Sequence, residues 1–220
     1  MTPQHHLPAD IERTSLKMIA AELAELGLTP PPETEAVVRR VIHTTADFDY
    51  AKNLRFTPGA VQKAVEALHK GAFLVTDTNM ALAGITKPGL AKLGGQAACY
   101  MADPEVAARA KAEGTTRAVA AMHKAAAEHP GAILAVGNAP TALLTIAEQI
   151  EAGLRPALVI GVPVGFVNVV ESKERIIKAA AAPYIVARGR KGGSNVAAAI
   201  CNALIYSAAE MLDPTARGWK

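Results

Sequence analysis

Only two cysteines, Cys99 and Cys201, occur in 220 residues, which excludes a disulfide framework and a Cys-based zinc module. Four Phe, four Tyr and a single Trp, Trp219, are too few for the stacking platforms of single-stranded nucleic-acid binders. Charge is nearly balanced: 23 Lys and Arg stand against 20 Asp and Glu, for a net of +3. No clustered basic face emerges, so no nucleic-acid partner is expected, while an anionic small molecule is permitted. No stretch approaches ~20 apolar residues free of charge, Pro or Gly, which excludes a transmembrane helix and a membrane partner. The opening MTPQHHLPADIER has neither a basic nor an apolar leader region, and cytoplasmic residence is the expectation. Of the six histidines, no pair has i, i+4 spacing with a carboxylate, so no metal site is expected. What is present is ordinary globular composition, 50% hydrophobic and 20% charged. The length suits one domain over residues 1–220, with 1–9 and 213–220 as loosely ordered tails.

The N-terminal quarter reads as helices. Asp10 is placed as the cap of a segment in which Ile11, Ile19, Leu23 and Leu26 recur at helical spacing until Gly27. After Pro30-Pro31-Pro32 a second helix carries Val37, Val38, Val41 and Ile42 and runs out near His43-Thr44-Thr45. Thr57-Pro58 reads as a cap with Pro at the first helical position, opening a helix that closes at Gly71. From there short apolar runs at 72–76, 97–101, 132–136, 157–160 and 184–187 alternate with helical stretches. Those stretches include 115–128, the segment after Pro140 to Gly153, and a last helix capped by Ser194. This alternation predicts an α/β fold: a mainly parallel sheet with helices on both faces, a three-layer α/β/α arrangement with a helical N-terminal segment. Continuous apolar strands fit a sheet covered on both sides. Ligands in such folds sit beyond the carboxyl ends of the strands. Those ends carry Asp77 and the turns GNAPT (137–141), GVPVGF (161–166) and RGRKGGS (188–194), which are expected along one rim.

Each chemical reading has a plain alternative. The 189–194 turn leads into a helix start, where amides and the helix dipole favour anions, with Arg190 and Lys191 adding charge. Its spacing matches neither the Walker nor the Rossmann pattern, and an ordinary βα turn is the other reading. Gly137, Asn138 and Ala139 either line a pocket or form a plain turn. His5 and His6 read as solvated, and His69, His123 and His129 lie on or near the C-terminal parts of helices. His43 lies three residues after Arg40, so both project from one helix face. It is either a helix-terminal His with an Arg neighbour or a proton donor tuned near neutrality. A guanidinium beside it would lower its pKa, and a carboxylate would raise it. Ser15, four residues from Ile11 and from Ile19, leans toward the buried stripe, and bonding back to a helix carbonyl is its other reading. The cysteines read as core.

His43 after Arg40-Val41-Ile42, the run GNAPTA at 137–142, GVPVGF at 161–166 with Glu171-Ser172-Lys173, and RGRKGGS at 188–194 together resemble the precorrin-8X (cobalt-precorrin-8) methylmutase family of cobalamin biosynthesis. The resemblance spans about Ile11 to Leu204. It implies an isomerase that moves a methyl group from C-11 to C-12 of a contracted tetrapyrrole, a [1,5]-sigmatropic shift without cofactor. His43 matches the family's general acid, and Ser15 and Arg40 match substrate-contacting residues. Thr86, Arg117, Gly137, Asn138, Ala139, Gly161, Val162, Pro163, Arg190 and Ser194 complete the implied substrate site. The resemblance also implies a homodimer, with neighbouring pathway enzymes as further partners. A corrinoid carrier using the same pocket without chemistry is the first rival. A nucleotide-using α/β enzyme with phosphate at Ser194 is the second.

Overall fold

The computed structural model describes residues 7–179 and 181–218. Eleven helices and six strands follow in order: α1 Pro8–Glu25, α2 Pro32–Thr45, α3 Asp49–Asn53, β1 Leu54–Phe56, α4 Ala60–His69, β2 Leu74–Thr76, α5 Asn79–Gly84, α6 Lys87–Lys92, β3 Ala97–Ala98, α7 Pro104–Ala112, α8 Arg117–Glu128, β4 Ile133–Val136, α9 Pro140–Glu151, β5 Leu158–Gly161, α10 Val169–Ala179, β6 Tyr184–Ala187 and α11 Ser194–Ala208. A short 3-10 helix, Pro214–Arg217, follows α11.

The strands form one sheet in the order β1-β6-β5-β4-β2-β3, parallel except for β1. Successive strand side chains point to opposite faces. Ile133, Ala135, Leu158, Ile160, Ile185 and Ala187 accordingly join α1, α2, α4 and α11 in one apolar cluster. Leu134, Val136, Val159 and Val186 join α7, α8, α9 and α10 in the other. The expected three-layer architecture is therefore present. Each fully buried aliphatic side chain contributes roughly 1.5–3 kcal/mol to these two interfaces. The chain reverses its direction of travel between β2 and β4. β2 leads outward to β3, then α7 and α8 carry the chain back to β4 on the far side of β2. Such a reversal leaves a crevice at the strand ends.

Several local expectations change. Pro8 starts α1 two residues before Asp10, because Pro fits the first helical position, and Asp10 instead pairs with Arg13 at 3.0 Å. Gly59, not Thr57, precedes α4, and the Thr57 hydroxyl bridges the backbone of Tyr184. Gly193 caps α11, and Ser194 stands inside its first turn. His123 lies in the C-terminal half of α8. β1 is a strand that the sequence pattern did not show. The tails differ as well. Pro8 and Ala9 are helical, and Pro214–Arg217 is a 3-10 helix docked on α1 through buried Arg217. His5, His6 and Trp219 lie outside the described residues. No helix among the described residues is long and apolar enough to cross a membrane.

Candidate active site

His43 occupies the last turn of α2, which ends at Ala46 in the left-handed conformation. Its Nδ1 lies 2.8 Å from the Ser15 hydroxyl of α1. Ser15 therefore bonds across the helix pair and not back to its own helix. Ile11, Met18, Ile19, Ile42, Ala46 and Phe48 surround the pair and line an apolar cleft of about 390 Å³. With Nδ1 engaged, Nε2 is the ring nitrogen left for a ligand. Burial lowers the His43 pKa, Arg40 and Arg217 lower it further, and Glu12 opposes them.

Arg40 does not reach into the open cleft. Its Nη2 donates to Glu12 Oε1 at 2.6 Å. The Arg217 guanidinium donates to both oxygens of the same carboxylate at 2.8 Å. Both guanidinium carbons stand over the Tyr206 ring, at 5.3 Å for Arg40 and 4.1 Å for Arg217. The side chains of Glu12 and Arg217 are 5% and 4% exposed, so this is a buried network. Burial acts upward on the Glu12 carboxyl, but its bonds to Arg217 and Arg40 prevail and hold it below the usual value. Arg40, expected to meet a substrate carboxylate, thus spends its Nη2 on Glu12.

At the chain-reversal crevice, Asp77 follows β2 and is buried. Its carboxylate accepts from Gly137 N at 2.8 Å, Asn138 N at 2.8 Å and Ala139 N at 2.7 Å. A carboxylate at a helix start satisfies amides that would otherwise take an anion. Burial nevertheless pushes the Asp77 carboxyl above its ordinary value. The amides of Gly137, Asn138 and Ala139, expected to meet substrate, are therefore held by the protein itself. Gly137 is required here because a Cβ would stand 2.7 Å from Ser194 Cα.

The 188–194 turn is built on a buried lysine. Lys173 of α10 donates to the carbonyls of Gly189 and Lys191, both at 2.8 Å. Burial pushes its ammonium down to about 8. Gly193 N donates to Val162 O and Gly165 N to Arg190 O, which ties this turn to the 161–166 turn. A Cβ on Gly192 would stand 2.1 Å from Val162 O, so only Gly fits that approach. Lys191 then reaches Asp47 at 2.6 Å and Asp49 at 2.7 Å, joining the rim to the segment just after His43.

The structure thus brings the four strand-end segments to one rim, and the residues expected to form the substrate site divide. Gly161, Val162 and Pro163 are buried beneath the rim, and its exposed apolar residues are Val164, Phe166 and Val167. Arg190 is exposed, its guanidinium 5.3 Å from the Phe166 ring centroid. Arg117 is exposed at the start of α8, beside Thr116, whose hydroxyl is 3.4 Å from that of Thr141. Thr86 caps α6 through Gly89 N, and its amide donates to Asn202, so its polar groups serve local structure. The Ser194 hydroxyl pairs with Thr78 at 2.8 Å. Cys201 is buried in the core, its thiol pushed up to about 12. Cys99, expected in the core, is only half-buried. Among the described residues no group of three or more His, Cys, Asp or Glu is placed to hold a metal. Sequence reasoning missed Glu12, Tyr206 and Arg217 altogether. It noted Asp77 and Lys173 only as a strand end and a motif member.

A family model described as precorrin-8X methylmutase matches residues 10–207. The cobalt-precorrin-8 methylmutase of Salmonella typhimurium strain LT2 is 44% identical over 206 residues, 90% of this chain and 95% of that one. The precorrin-8X methylmutase of Pseudomonas aeruginosa is 38% identical over 196 residues, 88% of this chain and 93% of that one. The crystal structure of precorrin-8X methylmutase from Thermus thermophilus is similar with a TM-score of 0.82 and 42% identity, covering 91% of this chain and 98% of that chain.

Proposed function

The chain belongs to the precorrin-8X methylmutase family, and on that premise we propose a methyl transfer within the substrate in which His43 is the acid. The protein is an isomerase of cobalamin biosynthesis. The methyl group leaves C-11 and bonds to C-12 of precorrin-8X, or of cobalt-precorrin-8, giving hydrogenobyrinic acid or its cobalt form. The observation that carries the role of His43 is the 2.8 Å contact between its Nδ1 and Ser15 at the wall of an apolar cleft. In the doubly protonated ring Nδ1–H donates to Ser15, and Nε2–H is left to the macrocycle. A proton delivered there makes the ring system electron-poor, which assists the shift, and its later release balances the reaction. Orientation and one positioned acid suffice for a rearrangement without a leaving group. The exposed guanidinium groups of Arg117 and Arg190 suit the substrate's carboxylate arms, and Phe166 and Val167 suit its apolar ring. We also place the protein in the cytoplasm as a homodimer. Exposed Ile11 and Met18 on α1, which line the cleft, support a second copy there. No observation favours the carrier reading.

The test is the visible spectrum of precorrin-8X during incubation with purified protein and with His43→Ala. The migration extends the conjugated system, so turnover changes colour. We expect conversion by the wild type and a loss of about 100-fold or more in kcat for the variant, with binding kept. Conversion at the wild-type rate by His43→Ala would remove the acid role and leave the isomerase. A static spectrum with both calls for the cobalt-containing substrate.

A further inference from the structure

We propose that Arg217 is a positioning residue for the reaction, clasping helix α1 through Glu12 so that Ser15 meets His43. The inference rests on the proposed role of His43. α1 packs on α2 and on the 3-10 helix that carries Arg217, yet it buries few side chains: Ala9, Glu12, Ile19 and Leu23. The two large aliphatic members lie in its C-terminal half. In the turn that precedes Ser15, the buried anchor is a carboxylate. Ser15 stands three residues after Glu12, on the same helical face, so whatever fixes Glu12 fixes the Ser15 hydroxyl.

Arg217 is the forked half of that anchor. It donates to both Glu12 oxygens at 2.8 Å, and also from Nε to the Met211 carbonyl and from Nη2 to the Leu212 carbonyl, each at 2.9 Å. The guanidinium lies 4.1 Å from the Tyr206 ring centroid on α11. The clasp therefore joins three parts of the chain: α1, the end of α11 and the segment beyond it. Arg40 adds a second contact to Glu12 from the helix that bears His43. The charged groups around the imidazole are Arg40 from its own helix, Glu12 and Glu22 from α1, and Arg217 from the 3-10 helix. Asp47, in the next turn, is paired with Lys191. Removing a cation from this set eases protonation of His43, and removing the Glu12 anion hinders it.

The test uses the full-length protein with histidine rings labelled for NMR titration, alongside steady-state kinetics on precorrin-8X. In Arg217→Met we expect the His43 titration to move to higher pH, and in Glu12→Gln to lower pH. In Arg217→Lys, which keeps the charge, it stays near the wild-type position. In Arg217→Met the acid plateau of kcat falls about tenfold while KM stays within about twofold, as expected when a catalytic group is misplaced and binding is not. A His43 titration unmoved in both Arg217→Met and Glu12→Gln would overturn the proposal. So would an unchanged kcat plateau, or a loss confined to KM. If Arg217→Met does not fold, Glu12→Gln and Arg217→Lys carry the same titration test. The ring titration needs no substrate, so it separates failure of this proposal from failure of the proposed reaction.

Discussion

Around His43, buried charge is answered by side chains; along the rim it is answered by the backbone. Glu12 is held by Arg40 and Arg217, and all three members can be exchanged by mutation. Asp77 is held by the amides of Gly137, Asn138 and Ala139, and Lys173 by the carbonyls of Gly189 and Lys191. Those partners cannot be mutated away. A side-chain network can be replaced as a set by apolar residues, because no charge is then left unpaired, although the Met211 and Leu212 carbonyls lose Arg217 as a donor. A lone charge satisfied by peptide groups cannot, because its removal orphans buried N–H or C=O groups.

The sharpest break in this contrast is Asp77→Ala. It should cost about 4 kcal/mol, since a charged acceptor of three amides is lost at a buried site. Urea unfolding measures it, and a cost under about 1 kcal/mol would show that water replaces the carboxylate. Lys173→Met should cost about 2 kcal/mol by leaving two carbonyls bare. It carries a pH signature as well. The folded pKa of about 8 lies below the ordinary lysine value, so the unfolded chain holds the proton longer. Wild-type stability relative to Lys173→Met should therefore rise between about pH 8 and 10.5, and a flat difference would contradict the burial. The smallest effect is expected from replacing the network together, with Glu12, Arg40 and Arg217 all changed to Met. Unfolding free energy should stay within about 1 kcal/mol of wild type. A loss as large as that of Asp77→Ala would erase the distinction between the two regions.

The same contrast explains what could be read from the chain before folding. The rim turns are contiguous and rich in Gly and Pro, so their place at strand ends followed from local pattern. His43 and Arg40 were linked by helical spacing, and Ser15 by its phase against Ile19. The Glu12 network was hidden because its members lie 28 and 205 residues apart, a distance no periodicity spans. Asp77 was visible as a strand end, but its amide partners begin 60 residues later. That separation turned the turn amides, expected to meet substrate, into internal bonds. β1 is only three residues long, too short to show an alternation, and its pairing with β6 arises from tertiary packing.

The 205 residues between Glu12 and Arg217 also set a schedule. At ribosomal rates of about 5–20 residues per second, α1 is made roughly 10–40 s before its clasp. Throughout that interval the carboxylate of Glu12 lacks its forked partner, and all six strands are made within it. In a nascent chain, the contact between Ser15 and His43 should therefore be among the last features to settle, after the sheet it rests on is complete.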